Sequence, residues 1–241
     1  MKMMMHKDIE HILEMISYQK SRDISFGQFF DKLASQWNLI IIGGSLRDAL
    51  NQNYNPRDID IILNGNDMVQ FELMLSQNSI SFKKNRFDGY KLKFNHVEVD
   101  VWSINRHFAF GHNYYSESIE NIVETTFLNY DSIAFDYNKK KLYKDYYDDC
   151  RKSHLIELIG DDNYIDNNPT PDVNIARMLK IKEDTGYDLS SRSISYIKKY
   201  YMDCLNHSVS IEDQLRKGYQ SHYRKQIDDV ILFYLNEIIE R

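Results

Sequence analysis

Several things are scarce in this sequence, and each shortage excludes something. Only two cysteines occur in 241 residues. Cys150 and Cys204 lie far apart, with no CxxC or Cys/His spacing. A disulfide framework or a zinc-built fold is therefore not expected, and a reduced, cytoplasmic compartment is the default. Positive charge is not in excess, since 30 Lys and Arg stand against 36 Asp and Glu for a net charge of −6. That argues against a broadly basic surface that grips nucleic acid without regard to sequence, and leaves room for a local basic groove. Long apolar runs are missing as well. The N-terminus, MKMMMHKDIEHILEMI, carries acids early and reads neither as a signal peptide nor as a membrane span, so no membrane partner is expected. No internal repeat is visible. Glycine and proline are few, at nine and three.

What is present suits a packed core. Hydrophobic residues make up 42% of the chain, with 18 Tyr and 12 Phe among them, and the length suits one large domain or two small ones. One stretch organises the rest: Leu39 to Leu63, LIIIGGSLRDALNQNYNPRDIDIIL. An apolar run ends at Gly43-Gly44, a helix start follows, and after a turn at Asn55-Pro56 two carboxylates, Asp58 and Asp60, open a second apolar run. Glycine lets a backbone come close to a ligand, and the first N–H groups of a helix can hold phosphate. Side chains alternate along a strand, so Asp58 and Asp60 share a face. Two adjacent carboxylates repel unless a cation lies between them. Mg²⁺, which binds through one or two carboxylates plus substrate phosphates, is the natural choice. The pattern suggests phosphoryl or nucleotidyl transfer, although an Asp-x-Asp by itself commonly marks a solvated strand end.

The full order, strand–GGS–x–RD–turn–DxD–strand, resembles the head domain of the polymerase-β-like nucleotidyltransferases. The nearest branch holds bacterial poly(A) polymerases and class II CCA-adding enzymes, and the residues that carry the likeness are Gly43, Gly44, Arg47, Asp48, Asp58 and Asp60. The resemblance implies an α+β fold: a mixed sheet of about five strands flanked by helices, followed by a C-terminal helical domain. It divides the chain into N-terminal helices at 1–37, a head at 38–168 and a helical, neck-like part at 169–241. It implies a two-metal mechanism with Mg²⁺, or Mn²⁺ in its place, and an NTP substrate. The ions fall to Asp58, Asp60 and a third carboxylate on a neighbouring strand. Asp100 in HVEVDVWS is the first choice, because VDVW resembles that strand in divergent members, and Glu98 is the second. Gly43, Gly44 and Ser45 would hold the triphosphate. Arg47 and Asp48 would fix the turn behind them through an ion pair or hydrogen bond.

Other elements follow from periodicity. Helices are expected at 6–21, at Ser25–Gln36 with Phe26, Phe29, Phe30 and Leu33 on one face, and at 66–77. Strands are expected at Ile80–Lys84, Tyr90–Phe94 and His96–Ser103, and residues 104–116 read as a loop. His107 and His112 in that loop lack a third ligand, and packing is the simpler reading. Lys139–Lys141 reads as a solvated hairpin tip. Residues 146–168 read as a short helix and connector, and further helices are expected at 171–185, 191–205, 210–219 and 223–239.

The likeness covers roughly residues 38–190 and departs from the family in places. Where the family segment reads RRDFTINALAYD, this chain has Thr125, Thr126 and Phe127 in place of RRD and Asp131 in place of the asparagine. Two phosphate-neutralising arginines are thus missing, and Asp131 either serves the pocket or caps a strand. In the segment that resembles EDPLRILRAIRFAARLGF, Arg177 matches the second arginine and Asn174 replaces the first. Class II CCA enzymes are also longer, with body and tail domains that grip tRNA. Three readings stay open. The first is nucleotide addition to an RNA 3′ end, tRNA foremost. The second is the same chemistry on a protein or small-molecule hydroxyl. The third is a non-catalytic nucleotide or RNA binder. The oligomeric state is not legible.

Overall fold

The structure is a computed structural model that describes residues 2–65, 68–85 and 88–240, with side chains from residue 5 onward. The sequence-based helix at 66–77 begins partly outside the described residues. The chain forms two compact units, Met1–Thr125 with Asp131–Asp145, and Thr126–Tyr130 with Tyr146–Arg241.

The first unit opens with helices α1 (Lys2–Arg22) and α2 (Ile24–Gln36). Asp23 separates them and caps α2, its carboxylate accepting the Phe26 N–H at 3.1 Å and the Asn95 N–H at 2.7 Å. Strand β1 (Asn38–Ile42), helix α3 (Gly44–Leu50), strand β2 (Asp58–Asn64) and helix α4 (Met68–Gln77) follow. Then come β3 (Phe82–Lys84), β4 (Tyr90–Lys93), β5 (Glu98–Ser103), the single turn α5 (Phe108–Gly111), α6 (Ile119–Glu124), β6 (Ala134–Asp136) and β7 (Lys141–Tyr143).

Among the described residues the sheet has seven strands, in the order β3-β4-β5-β2-β1-β6-β7, against about five expected. Three of the seven, β3, β6 and β7, are only three residues long, and β3 falls within the strand expected at Ile80–Lys84. β2 and β5 run parallel and every other neighbouring pair is antiparallel, so the sheet is mixed as expected. The apolar face is continuous across the strands. Ile41, Ile59, Ile61, Val99, Val101 and Leu92 are all fully buried. Phe26, Phe29 and Phe30 of α2 are buried as their spacing predicts, and Phe94 closes on Phe26 and Phe29 with ring centroids 5.6 and 5.2 Å apart. Phe71 of α4 meets Tyr90 edge-on at 5.1 Å.

Residues 104–116 are not a plain loop. A 3₁₀ turn at Ile104–Arg106 leads into α5, driven by burial of Ile104, Ala109 and Phe110. His107 joins the two turns, its ring 5.0 Å from that of Phe110. Its Nδ1 is shut off from water without a hydrogen-bond partner, and this burial pulls its pKa down to about 4. His112 bonds instead to the Phe108 carbonyl at 3.0 Å. At the hairpin tip, the Lys140 ammonium lies 3.3 Å from the Tyr137 ring centroid.

The second unit is mainly helical: α7 (Asp145–Ser153), α8 (Asp162–Asp166), α9 (Pro171–Thr185), α10 (Ser191–Asn206), α11 (Ile211–Tyr223) and α12 (Asp229–Glu240). Pro171 starts α9 and Gly186, with φ +72°, ends it, both as the sequence expects. A two-stranded parallel sheet, β8 (Leu155–Ile156) with β9 (Asp188–Leu189), was not anticipated. α11 packs closely on α9 because Gly218 faces Asp172. A Cβ there would lie 2.6 Å from Asp172 Oδ2 and 3.0 Å from its backbone carbon. No described helix is long and apolar enough to cross a membrane.

Two measurements test this packing. Gly218→Ala should lower unfolding free energy by about 1–3 kcal/mol in urea denaturation, because the methyl has no room and the α9 backbone must shift. The second is a pH profile. An unfolded histidine binds its proton near pH 6.5 and folded His107 only near 4. The unfolded chain therefore holds more protons between those values. Stability should be unaffected by His107 above about pH 6.5 and fall by roughly 2–3 kcal/mol as pH drops toward 4. His107→Phe should flatten that part of the profile.

Candidate active site

The organising stretch folds as strand, turn, helix, turn, strand. β1 ends at Ile42, and Gly43 after it takes φ +73° and ψ −136°, a conformation natural to glycine and costly for other residues. Its N–H is taken by the Ile133 carbonyl at 3.1 Å. The turn's donors are therefore Gly44 and Ser45, in the first turn of α3, where no carbonyl of the helix can accept them. A Cβ on Gly43 would sit 3.8 Å from Asp60 Oδ2, so the turn and the second carboxylate are neighbours. Ser45 is 2% exposed and its hydroxyl has no hydrogen-bond partner.

The carboxylates come together through strand register. In the parallel pair, Asp58 stands opposite Glu98 and Asp60 opposite Asp100. All four are half-buried, while Ile59 and Val99 between them are fully buried on the other face. Alternation thus puts Asp58, Asp60, Glu98 and Asp100 on one face, as read from the sequence. Burial raises the Asp100 pKa, the charges of Asp58 and Glu98 push the same way, and Lys91 opposes them. Asp100 Oδ1 is buried and unpartnered.

Among the described residues, Arg57, Lys91 and Lys93 meet carboxylates of this face. Arg57 forks onto Asp58 Oδ2, at 2.9 Å from Nε and 2.7 Å from Nη2. Lys91 reaches Asp100 Oδ2 at 3.3 Å and Glu98 at 3.7 Å, and Lys93 reaches Glu98 at 3.9 Å. Sequence reading passed over Lys91. Its signal was present in YKLK, whose lysines alternate as the acids do in EVDV across an antiparallel pairing that sets Lys91 opposite Asp100.

Arg47 and Asp131 meet. Arg47 Nη1 donates to Asp131 Oδ1 at 2.7 Å, with the two side chains only 18% and 10% exposed. This ion pair ties α3 to the chain just before β6. Asp48 is half-buried, and burial, aided by the Asp58 charge, raises its pKa. In the segment that departs from the family, Thr125 bonds back to the Asn121 carbonyl at 2.7 Å. Phe127, buried at φ +72°, meets the rings of Tyr164 and Tyr196 at 6.5 and 5.5 Å within the second unit. Arg177 lies in the second unit on α9, 3.1 Å from His222 Nε2.

The donor set fits a hard divalent cation. Hard ions take carboxylate oxygens, Asp58, Asp60 and Asp100 share one face with Glu98, and Asp100 offers a buried oxygen with no hydrogen-bond partner. As they stand, no three His, Cys, Asp or Glu side chains among the described residues close round a single point; Arg57 and Lys91 hold Asp58 and Asp100 instead. The Arg47–Asp131 pair makes its own prediction. Asp131→Asn or Arg47→Met should each lower stability by about 1–3 kcal/mol in thermal or urea unfolding, because each breaks an ion pair between side chains only 18% and 10% exposed.

No protein-family model matches the sequence, and neither does any curated protein. Solved structures do match. A CCA-adding enzyme in complex with ATP superposes with a TM-score of 0.66 at 14% identity, over 95% of this chain and 52% of that one. A tRNA nucleotidyltransferase with a primer tRNA and an incoming ATP analogue gives 0.63 at 16% identity, over 88% and 60%. The apo form of a tRNA-processing enzyme gives 0.62 at 17%, over 86% and 54%. This chain spans between half and three-fifths of the length of these neighbours. The motif's implication for architecture therefore holds: the chain shares its fold with a CCA-adding enzyme, a tRNA nucleotidyltransferase and a tRNA-processing enzyme.

Proposed function

We propose that this chain is a divalent-metal-dependent nucleotidyltransferase that transfers a nucleotide from an NTP to the 3′ end of an RNA, tRNA foremost, and releases pyrophosphate. The observation that carries the reading is the register of β2 and β5, which pairs Asp60 with Asp100 beside the Gly43 turn. It is supported by structural neighbours solved with ATP and with primer tRNA plus an ATP analogue.

Asp58, Asp60 and Asp100 hold the metal. A bound Mg²⁺, or Mn²⁺ in its place, neutralises triphosphate charge and lowers the pKa of the acceptor hydroxyl. Gly43, in a backbone conformation natural to glycine, sets the turn beside Asp60, so a triphosphate held at the turn lies against the carboxylates. The Gly44 and Ser45 N–H groups and the Ser45 hydroxyl are its donors. The Arg47–Asp131 pair holds that turn in place, and Asp48 lies within the helix behind it. Arg177 is assigned to nucleotide binding only by its match to the family segment.

A second acceptor class is favoured by one observation. Phe127, buried against aromatic rings, stands in place of a charged residue, and no arginine occupies the two positions before it. A triphosphate held without those arginines leaves room for an acceptor other than RNA, such as a protein or small-molecule hydroxyl.

Label transfer decides between them. The protein is incubated with Mg²⁺, each α-³²P-labelled NTP in turn, total RNA and protein extract. Label should appear on RNA, and Asp58→Asn, Asp60→Asn or Asp100→Asn should each reduce it by about 100-fold or more, the scale of several kcal/mol of lost charge stabilisation. Label on protein or on a small molecule would move the acceptor to the second class. No label with any nucleotide, in Mg²⁺ or Mn²⁺, would refute catalysis and leave nucleotide or RNA binding.

A further inference from the structure

Four carboxylates share the candidate face, and among the described residues Arg57, Lys91 and Lys93 reach Asp58, Glu98 and Asp100, but these cations are not equivalent. Arg57 and Lys93 are 71% and 79% exposed in their side chains and can swing into water at little cost. Lys91 is 31% exposed, and strand register holds it in place. Tyr90 and Leu92 on either side are buried on the opposite face, so β4 cannot slip by one residue without exposing them. That register puts Lys91 directly across from Asp100. Its ammonium takes Asp100 Oδ2 at 3.3 Å, while the other oxygen of the same carboxylate is buried and unpartnered. Asp100 thus has one oxygen facing a fixed internal cation and one that is buried without a hydrogen-bond partner.

Resting on the assignment of Asp58, Asp60 and Asp100 as metal ligands, we propose that Lys91 competes with a divalent ion for Asp100. The chain then binds one ion tightly through Asp58 and Asp60, and a second at Asp100 only weakly. The reason is electrostatic. An ammonium within contact distance of a ligand repels a doubly charged ion and occupies one of the two oxygens of that ligand, and the half-buried setting screens this less than open water would. Lys91 is a positioning residue in this account: it sets metal occupancy and does not touch the reacting atoms.

The test is a Mn²⁺ titration of the whole chain, with free Mn²⁺ read by electron paramagnetic resonance and no nucleotide present. Wild type should show one tight and one weak ion. Lys91→Met should tighten the weak one about ten-fold or more, Lys91→Gln should do the same, and Lys91→Arg, which keeps the charge, should leave it weak. Lys93→Met should change it less than two-fold, because that lysine reaches only Glu98. Asp100→Asn should remove the weak site and keep the tight one. If wild type binds Mn²⁺ and both neutral variants leave the weak site unchanged, or if Lys93→Met tightens it equally, the role of Lys91 is overturned while the metal assignment stands. If neither wild type nor any variant binds Mn²⁺, the metal assignment itself is wrong and the role of Lys91 falls with it.

Discussion

The constraint on which the candidate site depends is the parallel pairing of β2 with β5. Left to themselves, Asp58, Asp60, Glu98 and Asp100 would repel one another and move apart. They stay together because Ile59, Ile61, Val99 and Val101 on the reverse of the same strands are fully buried. Each apolar residue that turns inward forces an acid to turn outward. Apolar burial on one face therefore works against charge repulsion on the other, and sheet register is the means by which it does so. This explains why the acids are half-buried and not fully solvated, and why burial raises the pKa of Asp100 despite a neighbouring ammonium.

Much of this could be read before the structure. The glycine turn and the DxD strand stood out because each has a local signature: an apolar run that ends in two glycines, and alternation that starts on two acids. The shared face of Asp58 and Asp60 follows from strand geometry alone, and the face of Glu98 and Asp100 was read in the same way. The long helices α2, α9 and α10 were legible from spacing and from their punctuation, with Pro171 and Gly186 marking the ends of α9. What could not be read was whatever depends on a partner far away in sequence. The short strands β6, β8 and β9 carry two or three residues each and exist only because a neighbour pairs with them. The Arg47–Asp131 pair joins residues 84 apart. Lys91 is an ordinary strand lysine until the antiparallel register sets it against Asp100.

The departures from the resembling family also have physical sense. Phe127, where the family has an acid, belongs by its contacts to an aromatic cluster with Tyr164 and Tyr196. At φ +72° it adopts a backbone conformation that costs a non-glycine residue about 1–2 kcal/mol, which the burial of its ring helps to offset. Asp131, where the family has an asparagine, gains from its charge because Arg47 is there to meet it.

The segment around Phe127 bears on how the chain reaches its fold. Thr126–Tyr130 belong to the second unit, although residues on both sides of them, through Asp145, belong to the first. The first unit is therefore discontinuous in sequence, and its sheet is incomplete until β6 lies beside β1, a closure that spans nearly a hundred residues. During synthesis from the N-terminus, β1 must wait with an unpaired edge while about ninety further residues emerge. No single cut of the chain yields the first unit whole without also taking five residues from the second. Non-local closure of this kind slows folding relative to a chain whose contacts are local, and it makes the β1 edge the place where an incomplete chain is most exposed to wrong pairing.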